Sequence, residues 1–453
     1  MSDLLSIRAA AREAGARTAL RAEGRSLSFA EVAALVEARM DGLHATEPAA
    51  VVGVNTLDTV LDLYGLLEIR RPALLLHPRL TATERAEQVE EARRSVAALP
   101  ADAAAILHTS GTTGRARGAV LTRAALLASA RASAVNLGWH EDDCWLLTLP
   151  LARVGGLSIL TRCLAARHAV ALAPAFDATL LPRWIAEQRA TLVSLVPTML
   201  AQLFDAHPDW RPPAHLRAVL VGGAAASSKL LARAAARRVP IVITYGCTET
   251  CAQVVATPYA QRFNSAAFGA GRPLKGAEVR IDQDRILVRG PMCMSGYLGG
   301  PPLTSADWFD TGDLGEIDPD GCLHLHARRT DLIVSGGENV YPAEVERVLE
   351  DCPGVAAAAV FGVPDETWGQ IVAALLVADR STAATSDDLR SSGGLAEFLA
   401  TRIAPFKRPR RVAWVPTLPL TPAGKLDRVA LAALSPLLQP LPASNSGPRP
   451  SGV

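Results

Sequence analysis

Short apolar and β-branched runs alternate along most of the chain with longer Ala/Leu-rich stretches of helical period. The spacing predicts strands over Ala103–His108, Cys144–Leu149, Ala169–Ala173, Leu192–Val196, Ala218–Val221 and Ile241–Thr244, with helices such as Arg123–Leu137 and Ser227–Arg238 between them. Alternation of this kind marks an α/β domain whose sheets are largely parallel. From about Glu278 the rhythm changes. Strands are expected at Glu278–Ile281, Arg285–Arg289 and Cys322–His326, joined by turn signals such as Asp318-Pro319-Asp320-Gly321, which reads as a small, more antiparallel β section. Beyond Arg328-Arg329-Thr330-Asp331 the pattern predicts a small α+β domain: a helix near Pro342–Leu349, strands near Ala356–Phe361 and Ile371–Val377, and a helix after Leu395. Ser381–Gly394 reads as a polar connection, and the Pro/Ser/Gly-rich residues 439–453 as a disordered tail. The expected division is residues 1–329, 330–438 and 439–453.

Composition narrows the classes. A chain of 453 residues has room for more than one domain. Lysine plus arginine number 46 against 45 acids, so no global charge favours nucleic acid or an anionic membrane. The seven cysteines are scattered singly with no Cys-x-x-Cys pair, which points to reduced thiols rather than a zinc ribbon or disulfide framework. No apolar run approaches the roughly 20 residues a membrane span needs. The Arg-rich N-terminus carries Asp3, Glu13 and Glu23 and reads as a first helix rather than a leader. A cytoplasmic protein is expected, and a homo-oligomer is left open.

The most informative stretch follows the predicted strand at Ala103–His108: Thr109-Ser110-Gly111-Thr112-Thr113-Gly114-Arg115-Ala116-Arg117-Gly118. Glycines allow close backbone approach and positive φ, while hydroxyls and amide N–H groups donate to phosphate oxygens. No Gly-Lys-Ser/Thr closes the loop, so it is not a Walker A motif.

This loop resembles the signature of the adenylate-forming superfamily: acyl-CoA synthetases, peptide-synthetase adenylation domains and luciferases. Further segments fall in that superfamily's order. Gly222-Gly223-Ala224 resembles the segment against adenine and acyl group. Tyr245-Gly246-Cys247-Thr248-Glu249 resembles the element whose Thr meets the adenylate phosphate and whose Glu helps hold Mg2+. Thr311-Gly312-Asp313 resembles the ribose-binding element, Arg328 the ribose- and phosphate-contacting arginine, and Thr330 the interdomain hinge. Ser335-Gly336-Gly337-Glu338 resembles the loop walling the CoA pantetheine tunnel, and Thr421-Pro422-Ala423-Gly424-Lys425 the region of the adenylation lysine. The resemblance thus implies Lys425, Thr248 and Glu249 as catalytic residues. It implies Thr109 to Gly114, Arg117, Gly222, Gly223, Ala224, Tyr245, Gly246, Asp313 and Arg328 as the ATP/AMP site, and Gly336 and Gly337 as the CoA loop. Two segments depart from the pattern: Arg117 stands where Lys is usual, and Ala152-Arg153 replaces an aromatic–His pair.

The strings Leu76-His77-Pro78-Arg79-Leu80-Thr81, Gly155-Gly156-Leu157-Ser158, Ser194-Leu195-Val196-Pro197-Thr198 and Thr248-Glu249-Thr250-Cys251 are most similar to the 2-succinylbenzoate–CoA ligase branch, of menaquinone biosynthesis. This implies ATP-dependent activation of an aryl dicarboxylate to acyl-AMP, then transfer to CoA. A CoA ligase for another acid, or a non-catalytic acyl-adenylate-binding relative, are the alternatives. The spectator carboxylate of such a substrate needs a cation. Arg162 is the candidate, with Ser194 and Thr198 around the same pocket; the plain alternative is a surface arginine on the helix Leu157–Ala166. Cys247 and Cys251 are expected to pack, His324 and His326 to face solvent, and Glu344 and Glu346 to form the polar face of their helix.

Overall fold

Parallel strands hydrogen-bonded to neighbours on both sides need apolar side chains on both faces, and the predicted strands have them. The computed structural model describes residues 3–40, 47–110, 116–223, 226, 228–328, 333–340, 342–378, 394–419 and 428–441. A nine-stranded sheet is ordered Arg272–Pro273, Val255–Ala256, Ile241–Tyr245, Ala218–Val221, Leu192–Leu195, Cys144–Leu147, Ala169–Leu172, Thr18–Ala22, Arg25–Ser28. Its six strands from Ile241–Tyr245 to Thr18–Ala22 run parallel. A second sheet joins Ala49–Val52, Ala73–Leu76, Ala103–Ser110 and Ala116–Thr122. The expected change of rhythm is a four-stranded sheet of Glu278–Asp282, Arg285–Arg289, Phe309–Ile317 and Leu323–Arg328, antiparallel across its first three strands.

Helix ends follow local chemistry. Thr122 caps the helix Arg123–Leu137, its Oγ1 accepting from the Ala125 amide at 3.1 Å, and Gly138 ends it at φ +61°. The helix Val154–Ala166 differs: every residue from Gly156 to Leu164 is buried, the polar Ser158, Thr161 and Arg162 included, so it lies inside the domain.

The chain divides into two compact units, residues 1–78, 88–109 and 118–327 in one, and 79–87, 110–117 and 328–453 in the other. The second unit contains a six-stranded sheet in which Val355–Asp365 and Gly369–Ala378 form a long antiparallel hairpin. Its core gathers Ile333, Val345, Leu349, Val360, Val372, Leu395 and Leu399.

Three expectations are corrected here. Glu344 does not face water: it is buried and accepts from the Lys407 Nζ at 2.5 Å, while Glu346 Oε1 accepts from the Val360 amide at 2.8 Å. Both carboxylates stitch their helix to neighbouring chain. His324 is half-buried, its Nε2 lying 2.8 Å from Asp318 Oδ2; the His326 side chain lies outside the described residues. The tail is ordered at its start, where Gln439–Pro440 pairs with Arg411–Val412 and the Leu441 amide donates to Arg410 O at 2.8 Å. Leu438 and Leu441 pack into the small unit's cores, and that burial fixes the strand. Residues 442–453 lie outside the described chain. Among the described residues no helix is long and apolar enough to cross a membrane.

His168 gives the fold a pH dependence. Its ring stacks on Trp139 with centroids 4.5 Å apart, and Arg17 Nη2 lies 3.4 Å from its Nδ1. Burial, reinforced by Arg17, pushes its pKa down from 6.5 to about 4. Between those values the unfolded chain takes up a proton that the native ring refuses, so stability is full above about pH 6.5 and is lost as pH falls toward 4. The thermal midpoint should fall by roughly 2–6 °C from pH 7 to 4.5. His168→Phe, which keeps the stack, should flatten that slope in calorimetry.

Candidate active site

Side chains alternate along the strand Ala103–Ser110, so Thr109 and His108 point to opposite faces of the sheet. On one face Thr109 Oγ1 donates to Glu249 Oε1 at 3.3 Å; on the other His108 Nε2 lies 2.9 Å from Glu91 Oε2. Glu249 sits in a one-turn helix, Thr248–Thr250, that follows the strand Ile241–Tyr245. Thr250 Oγ1 accepts from the Cys247 amide at 2.9 Å, and the turn closes at Cys251 with φ +50°. Tyr297 O–H donates to Glu249 Oε1 at 2.7 Å, and the Met294 amide donates to the Glu249 carbonyl at 2.7 Å. The carboxylate is therefore buried, oriented by hydroxyls and still an acceptor.

Beside it, the Tyr245 hydroxyl donates to Asp313 Oδ2 at 2.8 Å. Burial, with the Asp313 charge, pushes the phenol well above its usual range, so it stays a donor. Asp313 is itself buried, its amide donating to Thr311 Oγ1 at 3.2 Å. Gly222 and Gly223 leave the strand Ala218–Val221 next to Thr244. A Cβ on Gly222 would lie 2.3 Å from Thr244 Oγ1, and Gly223 adopts φ +81°. These two positions require glycine for different reasons, close approach and handedness.

Arg162 is not a surface residue. Only 3% exposed, it lies within the buried helix, with its guanidinium 5.7 Å from the Trp145 ring and Nη2 3.5 Å from Ser129 Oγ. Trp145 Nε1 donates to Ser194 Oγ at 3.1 Å, which brings Ser194 into the same buried cluster. Burial pushes the Arg162 pKa down to about 10, still far above neutrality, so the side chain is a cation. No carboxylate among the described residues pairs with it. Thr198 is half-buried in the first turn of the helix Pro197–Ala206, and no contact joins it to Arg162 among the described residues.

The structure thus joins Thr109 to Glu249, Tyr245 to Asp313, and Arg162 to Ser194 through Trp145. Arg117 is half-buried on the strand Ala116–Thr122. Gly336 and Gly337, in the second unit, form a turn at φ +58° and +80°, and a Cβ on Gly336 would meet the Trp368 ring at 2.5 Å. Ser110 and Arg328 are described as strand residues without their side chains. Gly111, Thr112, Thr113, Gly114, Ala224, Thr330 and Lys425 lie outside the described residues. Cys247 is half-buried and Cys251 buried, as packing residues are. Among the described residues no three His, Cys, Asp or Glu side chains gather to hold a metal by themselves.

Sequence reasoning missed Tyr297, Trp145 and Ser129. Tyr297 reaches Glu249 because its segment bridges to Ala119, a pairing with no local signature. Trp145 and Ser129 sit in apolar patterns that read only as core.

Residues 93–298 match the AMP-binding enzyme family and residues 344–425 the AMP-binding enzyme C-terminal domain. The chain is 36% identical over 439 residues to the 2-succinylbenzoate–CoA ligase of Bacillus licheniformis, covering 85% of this chain and 89% of that protein. Among solved structures, it is similar to a double mutant of o-succinylbenzoate CoA synthetase (MenE) from Bacillus subtilis bound with a product analogue. There the TM-score is 0.85 with 30% identity, over 95% of this chain and 98% of that one. It also matches the same enzyme in complex with ATP and magnesium ion, with TM-score 0.66 and 31% identity, over 95% of this chain and 99% of that one.

The tight approach at Gly222 is testable without any assay. Gly222→Ala should destabilise the protein by about 1–3 kcal/mol, the usual penalty for overpacking. Thr244→Ala in the same chain should restore part of that loss, a non-additivity read from denaturant midpoints.

Proposed function

This chain belongs to the AMP-binding enzyme family, on the branch of the 2-succinylbenzoate–CoA ligases, and on that premise we propose that it joins 2-succinylbenzoate to CoA at the expense of ATP. One carboxylate oxygen attacks the α-phosphorus and pyrophosphate leaves. The CoA sulfur then attacks the acyl carbon, AMP leaves with the bonding pair, and the thiol proton passes to solvent. The product belongs to menaquinone biosynthesis. The substrates are water-soluble anions, consistent with action in the cytoplasm.

The observation that carries the substrate is Arg162. A buried guanidinium costs desolvation free energy that an anion of the ligand would offset. A 2-succinylbenzoate molecule keeps one carboxylate while the other reacts, and that spectator has the complementary charge. Ser194, held by Trp145, presents a polar wall beside it.

The nucleotide roles rest on the family resemblance, supported for Asp313 and Thr109 by their hydrogen bonds. Asp313, oriented by Tyr245, would accept from ribose hydroxyls, and Thr109 and Arg117 would flank the phosphates with the rest of the hydroxyl loop. A buried carboxylate oriented by the Thr109 and Tyr297 hydroxyls fits a Mg2+ that arrives with ATP and takes its other ligands from phosphates and water. Glu249 would hold that ion, whose charge would stabilise the phosphate oxygens as pyrophosphate leaves. Lys425 would place a point charge between carboxylate and α-phosphate. Thr330 would serve as the pivot between residues 1–329 and the lid 330–438, with Gly336 and Gly337 admitting the CoA arm.

Two substitutions test this reading. Lys425→Ala should slow acyl-AMP formation by at least about 10²-fold, as loss of one preorganised electrostatic donor does. Thioester formation from supplied acyl-AMP should be spared, and equal losses in both half-reactions would remove the assignment. Arg162→Ala should lower kcat/KM for the dicarboxylate by roughly 30-fold or more relative to a matched aryl monocarboxylate, because one partner of a buried charge pair is gone. A wild-type enzyme with no preference for the dicarboxylate would point instead to another acid. Absence of AMP release with any acid would favour a binding protein.

A further inference from the structure

Ser129 lies in the middle of the helix Arg123–Leu137 and is 2% exposed. A serine inside a helix commonly returns its hydroxyl to the helix's own backbone. This one does not. Its O–H donates at 2.7 Å to the carbonyl of Cys251, the residue that closes the Thr248–Thr250 turn. With the proton spent there, the hydroxyl can only accept from other donors, and Arg162 Nη2 lies 3.5 Å away. Arginine is a donor only, so the polarities match. Trp145 flanks the same guanidinium, itself tied to Ser194. A polar path thus runs from Arg162 through Ser129 to the turn that carries Glu249.

We propose that Ser129 is a positioning residue that sets the distance between Arg162 and the Glu249 turn, and so acts as a ruler for the spacing of the two carboxylates in the acid. This inference rests on Arg162 receiving the spectator carboxylate. The reacting carboxylate must meet the α-phosphate near Glu249 while the spectator meets Arg162, and an acid of given chain length reaches both in its extended form only if those two protein groups are held in register. Without the Ser129 hydroxyl, Arg162 keeps its charge but loses its fixed place relative to the turn.

The experiment compares AMP release with 2-succinylbenzoate, its homologue with one more methylene between the carboxylates, and a matched aryl monocarboxylate. The enzymes are wild type, Ser129→Ala, Ser129→Thr, Ser129→Cys and Arg162→Ala. Wild type should favour 2-succinylbenzoate over the longer homologue. Ser129→Ala should reduce that length preference by about 10-fold, the scale of one hydrogen bond to a charged group, while still favouring dicarboxylates over the monocarboxylate. Ser129→Thr, which keeps the hydroxyl, should restore the length preference. In an Arg162→Ala background Ser129→Ala should change nothing further. Thermal unfolding monitors the fold, and the near-isosteric Ser129→Cys replaces Ser129→Ala if the latter does not accumulate. A wild type blind to length, or a Ser129 variant that slows all three acids equally or none, overturns the proposal. If Arg162→Ala retains the dicarboxylate preference, the reading of Arg162 itself has failed, a result recognisable from that variant alone.

Discussion

Everything in the site depends on one property of parallel sheets: their strands end on a common edge. Leu192–Leu195, Ala218–Val221 and Ile241–Tyr245 pair in parallel register, so Val196-Pro197, Gly222-Gly223 and Gly246 to Glu249 leave the sheet side by side. Residues far apart in sequence become neighbours without any long-range recognition beyond the backbone ladder. The antiparallel strand Phe309–Ile317 then brings Asp313 to Tyr245, and the segment around Tyr297 closes over Glu249. Glycine at 222 is the concession to this crowding, since the adjacent strand end leaves no room for a side chain.

Charge inside this apolar frame is sparse and local. Asp143 pairs with Arg217, whose Nε lies 2.7 Å from Oδ1, and that arrangement holds the aspartate below its usual pKa against the opposing effect of burial. Lys407 has Glu344 and Glu84. Among the described residues Arg162 has hydroxyl and indole neighbours instead. In a medium of low polarity an ion without a counterion is a cost that a ligand of opposite charge can offset, and the proposed pairing of Arg162 with a substrate carboxylate would link the packing of one helix to the choice of substrate.

Much of the frame was legible in the chain. The helix Arg123–Leu137 and the strands Ala218–Val221 and Arg285–Arg289 coincide with their hydrophobic patterns, because burial, capping by Thr122 and termination by Gly138 are all encoded within a few residues. The ordered succession of hydroxyl loop, Gly-Gly, Tyr-Gly-x-Thr-Glu and Thr-Gly-Asp pointed to the chemistry through its resemblance to the adenylate-forming superfamily, and the hydroxyl loop alone carries that reading in its own residues, as donors to phosphate oxygens. What the sequence left open was the fate of polar side chains within apolar patterns. Whether Arg162 meets solvent or core, whether Glu344 is solvated or bound to Lys407, and whether residues 439–441 hang free or complete a sheet depend on which elements pack over them. The same holds for Tyr297, Trp145 and Ser129, whose partners lie on other elements. Their roles arise only when separate strands and helices converge, because hydrogen bonding and desolvation are properties of neighbours in space, while periodicity records only neighbours along the chain.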